Sequence, residues 1–425
     1  MSVESSTDSE APAVDVPSGL PPQTVSSALH DYVDKLRGGD LGSLPAALGL
    51  LVLAAIFSGL KPEEFFNVGN FANIFVQAAP TIVIAMGLIF VLLLGEIDLA
   101  AGFTAGTSAA VLAVTLTLHE WPWYLSVLLC LFVGLAIGFF MGTLVARLQI
   151  PSFVVTLAMF LALQGVLLII IGDNGTIAVR DPQILFLMNN NLSVAMSWGL
   201  ALVVVAGYAG ITFRQLQGRR KAGLHAASTS VWLARVIGLA VVVAGGTYLL
   251  CLERGPRPDL KSIKGVPGVV PLILVLLIGL TFMTNRTALG RHIYAVGGNA
   301  EAARRAGINV GGIRVFCFIV GSMMAAVGGI LLASRQNGVD PGTGGSLTLL
   351  LAVAAAVIGG TSLFGGKGNV KDAVIGGLVV AVINNGLPFI TSNAGATYIV
   401  TGGVLLIAAS VDALSRRRAQ SSGRA

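Results

Sequence analysis

The sequence predicts an all-α, polytopic integral membrane protein, on three observations: how little charge it carries, how long its apolar runs are, and where its few basic residues fall. Of 425 residues, 55% are apolar and only 11% charged, where an ordinary soluble domain carries about 25% charged residues. The mean hydropathy is +0.86, so lipid is the solvent for most of the chain. An ordinary cytosolic enzyme and a disordered chain are both excluded.

Residues 1–40 read as a cytoplasmic tail. The first 24 are rich in Ser, Pro and acids and have neither the basic start nor the early apolar stretch of a signal peptide. From Val25 to Arg37, Val25, Leu29, Tyr32 and Leu36 recur at helical spacing, which suits a short amphipathic helix at the membrane surface or a solvated helical linker. A permease domain follows at 41–414. Its about 12 apolar segments lie at 44–60, 71–94, 103–119, 122–146, 151–171, 194–212, 232–252, 268–284, 314–334, 346–364, 370–390 and 396–413. Most have the ~20 residues that cross ~30 Å of hydrocarbon, giving 10–12 full crossings. Segments 103–119 and 346–364 adjoin glycine-rich breaks and either cross or re-enter. Residues 415–425 form a basic tail. With the N-terminus inside and twelve crossings, nineteen of the 26 Lys and Arg residues fall on the cytoplasmic side and seven outside, as the positive-inside rule requires. Both termini are then cytoplasmic, and the basic loops set topology and imply no nucleic-acid partner.

Inside the spans, Gly134, Gly138 and Gly142 share one helical face, and Gly321 and Ala325 share another; small residues let helices approach closely in lipid. The polar residues deep in apolar runs are few: Gln77, Gln164, Asn384 and Asn385. These amides either hydrogen-bond between helices or line a polar cavity. Glu96, Asp98, Asp372 and Asp412 all sit at segment ends, so the intramembrane carboxylate expected of an ion-coupled carrier is missing. Cys130, Cys251 and Cys317 lack the paired spacing of a metal site and read as structural, and the four histidines are scattered. No metal site and no catalytic constellation are expected. The stretch Gly360 to Gly368 resembles a phosphate loop but fails it, having two glycines before Lys367 and Gly368 where Ser or Thr should hold magnesium. A chain with neither an ion relay nor a nucleotide site of its own must be driven by another subunit, or be passive.

The loop between the segments ending near 284 and starting near 314 is the most informative soluble stretch. One short helix is expected there: Asn299 as N-cap, Glu301 at the positive end, Arg304 and Arg305 at the negative end, and Gly307 as a left-handed stop. An apolar run ending in a glycine break occurs at 81–102 and again at 349–366, a faint sign of internal duplication.

Three stretches carry a resemblance in the proper order: Gly95-Glu96-Ile97-Asp98-Leu99-Ala100-Ala101-Gly102, Ala295 to Val310, and Val357 to Gly366 with its pairs Gly359-Gly360 and Gly365-Gly366. Over roughly 65–413 the chain resembles the permeases of bacterial ABC importers for monosaccharides, the ribose, xylose and arabinose type, most nearly the xylose branch. The resemblance implies a permease homodimer in the inner membrane, two cytoplasmic subunits that bind ATP and Mg, and an extracytoplasmic sugar-binding protein, with no cofactor on this chain. It makes Glu301, Ala302, Ala303, Arg304, Arg305 and Gly307 the helix that couples to the ATPase. Gly95, Glu96, Asp98, Gly102, Gln77, Gln164, Gly359, Gly360, Gly365, Gly366, Asn384 and Asn385 are candidates for the pathway or for broken helices. Family members often read Ile-Asp-Leu-Ser-Val-Gly where this chain has Ala100 and Ala101, which removes a hydroxyl. The competing readings are an ABC permease for another small metabolite, such as branched-chain amino acids, a self-sufficient secondary carrier, or a membrane-embedded enzyme.

Overall fold

The computed structural model describes residues 44–222, 228–255, 262–403, 406 and 410. The amphipathic stretch at 25–37 and the basic tail lie outside the described residues, as does most of segment 396–413. Each of the eleven preceding apolar segments contains a helix. In chain order the helices are α1 (Leu44–Leu60), α2 (Pro62–Phe65), α3 (Val68–Leu93), α4 (Ala101–Ala113, continued by a wider turn over Val114–Leu118), α5 (Trp123–Arg147), α6 (Ser152–Ile171), α7 (Pro182–Asn189), α8 (Val194–Lys221), α9 (Thr229–Cys251), α10 (Val269–Arg286), α11 (Ala288–Gly298), α12 (Ala300–Arg305), α13 (Val310–Gln336), α14 (Ser346–Gly359) and α15 (Val370–Ile390). The extended pieces β1 (Ile177–Ala178) and β2 (Gly338–Val339) form one antiparallel pair, Ile177 opposite Val339. Among the described residues, nine helices are long and apolar enough to cross a membrane.

The described residues divide into two compact units, one holding those within 201–245 and the other those within 44–200 and 246–403. In the first, the later part of α8 and the earlier part of α9 are tied by Trp232 Nε1 donating to Thr212 Oγ1 at 2.9 Å, with the Phe213 and Trp232 rings 5.1 Å apart.

The second unit is built on α13, which packs antiparallel to both α3 and α5. Gly134, Gly138 and Gly142 of α5 lie on the backbone of α13, from Ser322 down to Val315. The opposite side of α5 shows Phe132, Phe139 and Phe140 to the outside, an arrangement lipid tolerates because its tails are as apolar as a core. A Cβ on Gly138 would come within 2.7 Å of Ile319 Cα. Gly138→Leu should therefore split this seam at a cost of about 1–3 kcal/mol, read as a lower thermal midpoint of the purified protein. Gly165→Leu, at an α6 glycine with open space around it, should leave the midpoint in place.

On α3, Gly87 meets Gly321 and Met324, while Ile84 and Pro80 meet Gly328. Each of these antiparallel helices ends in a link where an aspartate accepts a backbone N–H two residues on, Ala100 N to Asp98 Oδ1 and Gly342 N to Asp340 Oδ1, both 2.8 Å. A short helix then follows, α4 or α14. Gly359 and Gly360 close α14, and the glycines after them turn the chain into antiparallel α15.

The two uncertain segments resolve differently. Helix α4 with its wider turn reaches 18 residues. The 14 residues of α14 rise about 21 Å, short of a crossing, and the irregular stretch 340–345 precedes them. That stretch is packed in protein: a Cβ on Gly102 would strike the Gly344 carbonyl, and one on Gly106 the Thr343 carbonyl. Irregular backbone is tolerated at such a place because its polar groups find protein partners.

Candidate functional site

The loop expected to hold one short helix holds two. Thr287 caps α11 by accepting from Gly290 N, and Asn299 both ends α11, its N–H donating to Ala295 O, and starts α12, its Oδ1 accepting from Ala302 N at 2.9 Å. The missed helix has the periodic burial of Ile293 and Val296, which a reading fixed on caps and charge passes over. On α12, Glu301 pairs with Arg304 at 3.0 Å and Arg305 at 3.2 Å. These pairs are exposed and contribute little to stability. Ala303 is buried, while Ala302 and Gly307 are exposed; Gly307 closes the helix at φ +82°. A groove of about 600 Å³ runs beside this end, lined by Leu289, His292, Ala306, Gly307, Ile308 and Asn309 among others.

Behind α11 the three stretches that carried the resemblance meet. A Cβ on Gly297 would overlap the Leu93 carbonyl and come within 2.9 Å of Gly366 N, while one on Gly365 would lie 2.8 Å from Gly95 N and 2.9 Å from Gly297 O. Gly366 N donates to Leu93 O at 2.8 Å. Tyr294 Oη donates to Gly368 O at 2.8 Å; burial pushes this phenol above its ordinary pKa, with the Asp372 charge adding to it, so it stays a donor. Glu96 reaches Arg314, in the first turns of α13, at 3.1 Å. Ile97 is clamped by Ser152 Oγ and Thr156 Oγ1 at the start of α6. Asp98 is buried and organises the start of α4, Gly102 lies against Gly344, and Gly359 lies under the Asp372 carbonyl with Gly360 as a left-handed cap. The junction thus joins the end of α3, the starts of α6, α13 and α15, and α11. Tyr294→Phe should unpair the Gly368 carbonyl at a cost of about 1 kcal/mol, measured as a lower thermal midpoint.

Of the intramembrane amides, Gln77 and Asn384 come together. They line a cavity of about 270 Å³ with Thr81, Arg335, Leu351, Val380 and Ala381. Pro80, between Gln77 and Thr81, has no N–H to give the Val76 carbonyl and so loosens α3 at this depth. Asn385 faces elsewhere and donates to Asn70 Oδ1 at 2.8 Å, binding α15 to α3. Gln164 is exposed on α6 and joins neither group. Arg335 and Thr81 were missed by sequence reasoning; the available signal was an arginine in the last turn of a long apolar helix. Far from the junction, Glu253 knits the loop after α9 by accepting from Ser262 Oγ and from the N–H groups of Arg254, Gly255 and Ile263. Those donors, the Ser262 hydroxyl foremost, hold its carboxyl down at about 2.

A bundle of long apolar helices, with a polar cavity among them and an exposed charged helix at one end, is that of a multi-pass membrane protein. The chain belongs to the family described as branched-chain amino acid transport system / permease component, whose model matches residues 70–409. It is 33% identical over 369 residues to the xylose transport system permease protein of Escherichia coli strain K12, covering 87% of this chain and 91% of that one. It is 31% identical to the ribose import permease protein of the same strain, covering 86% and 92%. It is 29% identical to that strain's D-allose transport system permease protein, covering 86% and 90%. No solved structure matches the chain. The ABC sugar permeases are therefore its kin, and it is a translocation component.

Proposed function

We propose that this chain is the translocation subunit of an ATP-driven importer carrying a monosaccharide, xylose or a close relative, across the bacterial cytoplasmic membrane by alternating access. In this reading two copies pair, two separate subunits bind ATP and Mg on the cytoplasmic side, and an extracytoplasmic binding protein delivers the sugar. The observation that carries it is mechanical continuity. Helix α12 is exposed, runs through Asn299 into α11, and α11 is wedged by Gly297 against the end of α3 and the 365–366 turn. A push on α12 therefore reaches α3, α13 and α15, which with α14 wall the polar cavity. Amides and a hydroxyl in that wall suit a neutral polyol, whose hydroxyls need hydrogen-bonding partners more than counter-ions. The similarity to permeases named for xylose, ribose and allose supports the same solute class.

The test is co-reconstitution in proteoliposomes. Concentrative uptake of radiolabelled xylose should require the cognate ATPase and binding protein together, with ribose and allose as competitors reporting selectivity. Concentrative uptake by the purified chain alone under an ion gradient would overturn the reading in favour of a secondary carrier.

A further inference from the structure

At the start of α3, the end away from α11 and α12, the bundle holds an apolar groove of about 360 Å³. Helices α1 and α3 supply most of its wall, and α9 and α15 the rest. The polar residues of the lining, Ser58 and Asn67, both stand at the α2 end. Leu51 lines the groove and is 66% exposed, so the groove opens between helices onto the bilayer. Its depth can be read along α1. The wall runs from Ser58 back to Leu50, a rise of about 12 Å at 1.5 Å per residue, close to the ~15 Å of one leaflet of a ~30 Å hydrocarbon core. Deeper along α3 the groove is floored by Phe71 and Phe75, whose rings meet edge to face at 5.2 Å.

The mouth carries charge of both signs. Phe65 and Phe66 of α2 line it, and the same turn presents Lys61, Glu63 and Glu64 at the surface. Lys61 and Glu64 approach to 3.7 Å with both side chains more than 40% exposed, a loose pair that leaves each open to a further partner. One cation beside two carboxylates complements a headgroup that has a phosphate and a protonated amine. Within α1 itself, Ala46 and Phe57 are the buried residues, so this helix has little hold of its own on the bundle. We infer that the groove is a phospholipid site: one acyl chain lies along α1 against Phe71 and Phe75, and an ethanolamine headgroup sits on α2, its phosphate at Lys61 and its ammonium at Glu63 and Glu64. The bound chain fills the gap beside α1 and gains the close contacts that an unfilled groove forfeits. It thereby fastens α1 to α3 and α15.

The experiment takes the purified full chain through a delipidating detergent wash. It reads bound lipid by native mass spectrometry, and the thermal midpoint with and without added phosphatidylethanolamine. One phosphatidylethanolamine per chain should outlast the bulk lipid, and adding it back to fully stripped protein should raise the midpoint. Ala54→Phe, which fills the groove from α1, should lose both the retained lipid and the response. Gly49→Leu, on α1 but outside the lining and with open space around it, should keep both. Lys61→Glu should weaken retention about fivefold, and phosphatidylglycerol, which has no amine, should bind the unaltered chain about fivefold less tightly than phosphatidylethanolamine. Glu63→Gln with Glu64→Gln should abolish that preference. Lys61 is at the surface, so its variant tests the site even where Ala54→Phe fails to fold. A midpoint indifferent to phosphatidylethanolamine, or lipid retained by Ala54→Phe as by the unaltered chain, would overturn the site. Equal binding of the two lipids would overturn the headgroup assignment. Loss of a dimer in place of lost lipid in Ala54→Phe would give the groove to a second copy of the chain and overturn the inference as well.

Discussion

Gly297→Val is expected to reduce sugar uptake by the assembled transporter at least about tenfold and to lower the thermal midpoint of the permease. The first carbon added at this position overlaps the Leu93 carbonyl, with Gly366 N behind it, and no flexible side chain lies there to move aside. Helix α11 must then back away from the end of α3 and the 365–366 turn, at a cost of about 1–3 kcal/mol or more. In the proposed mechanism that retreat also separates α12 from the helices it moves. The neighbouring residue provides the control. Gly298 is in the same last turn of α11 with nothing within 4 Å of its would-be Cβ, so Gly298→Ala should retain normal uptake and stability. Equal damage from both changes would mean that glycine flexibility, not close approach, is what this turn requires.

The second large effect separates insertion from coupling. Glu301→Lys replaces the acceptor of two exposed ion pairs by a third cation beside Arg304 and Arg305. Because exposed pairs contribute only about 0–1 kcal/mol, the variant should insert and purify normally, while uptake driven by the cognate ATPase falls about tenfold or more. Gly307→Pro should act in the same direction for a backbone reason. The residue sits at φ +82°, which the proline ring cannot reach, and its N–H donates to Arg304 O at 3.0 Å. Membrane yield, uptake and ATP hydrolysis would be measured on the same preparations. Normal uptake by either variant would remove the coupling role from α12.

Much of the frame was legible because its causes are local. Long uncharged runs become helices wherever lipid is the solvent, and Asn299 and Gly307 mark the ends of α12 by side-chain capping and a left-handed turn. Helix α11 was harder to see: its start depends on Thr287 and its hold on burial of Ile293 and Val296 by partners far along the chain. Gln164 shows the limit of reading depth from hydropathy. It sits in the middle of an apolar run as Gln77 does, yet one is on the outer side of α6 and the other in the cavity wall.

Composition, run length and caps, read from the sequence alone, settled that this is a helical multi-pass membrane protein with a charged helix outside the bundle, since each depends on a residue and its near neighbours. Tertiary structure alone decided that Gly95, Gly297 and Gly365 meet, and that Gln77, Arg335 and Asn384 share a cavity. The reason is that lipid is as apolar as a protein core, so the exposed Phe139 and the buried Phe318 read alike in the sequence. Which face of a span turns inward is set only by the close approach of small residues between antiparallel helices far apart in the chain.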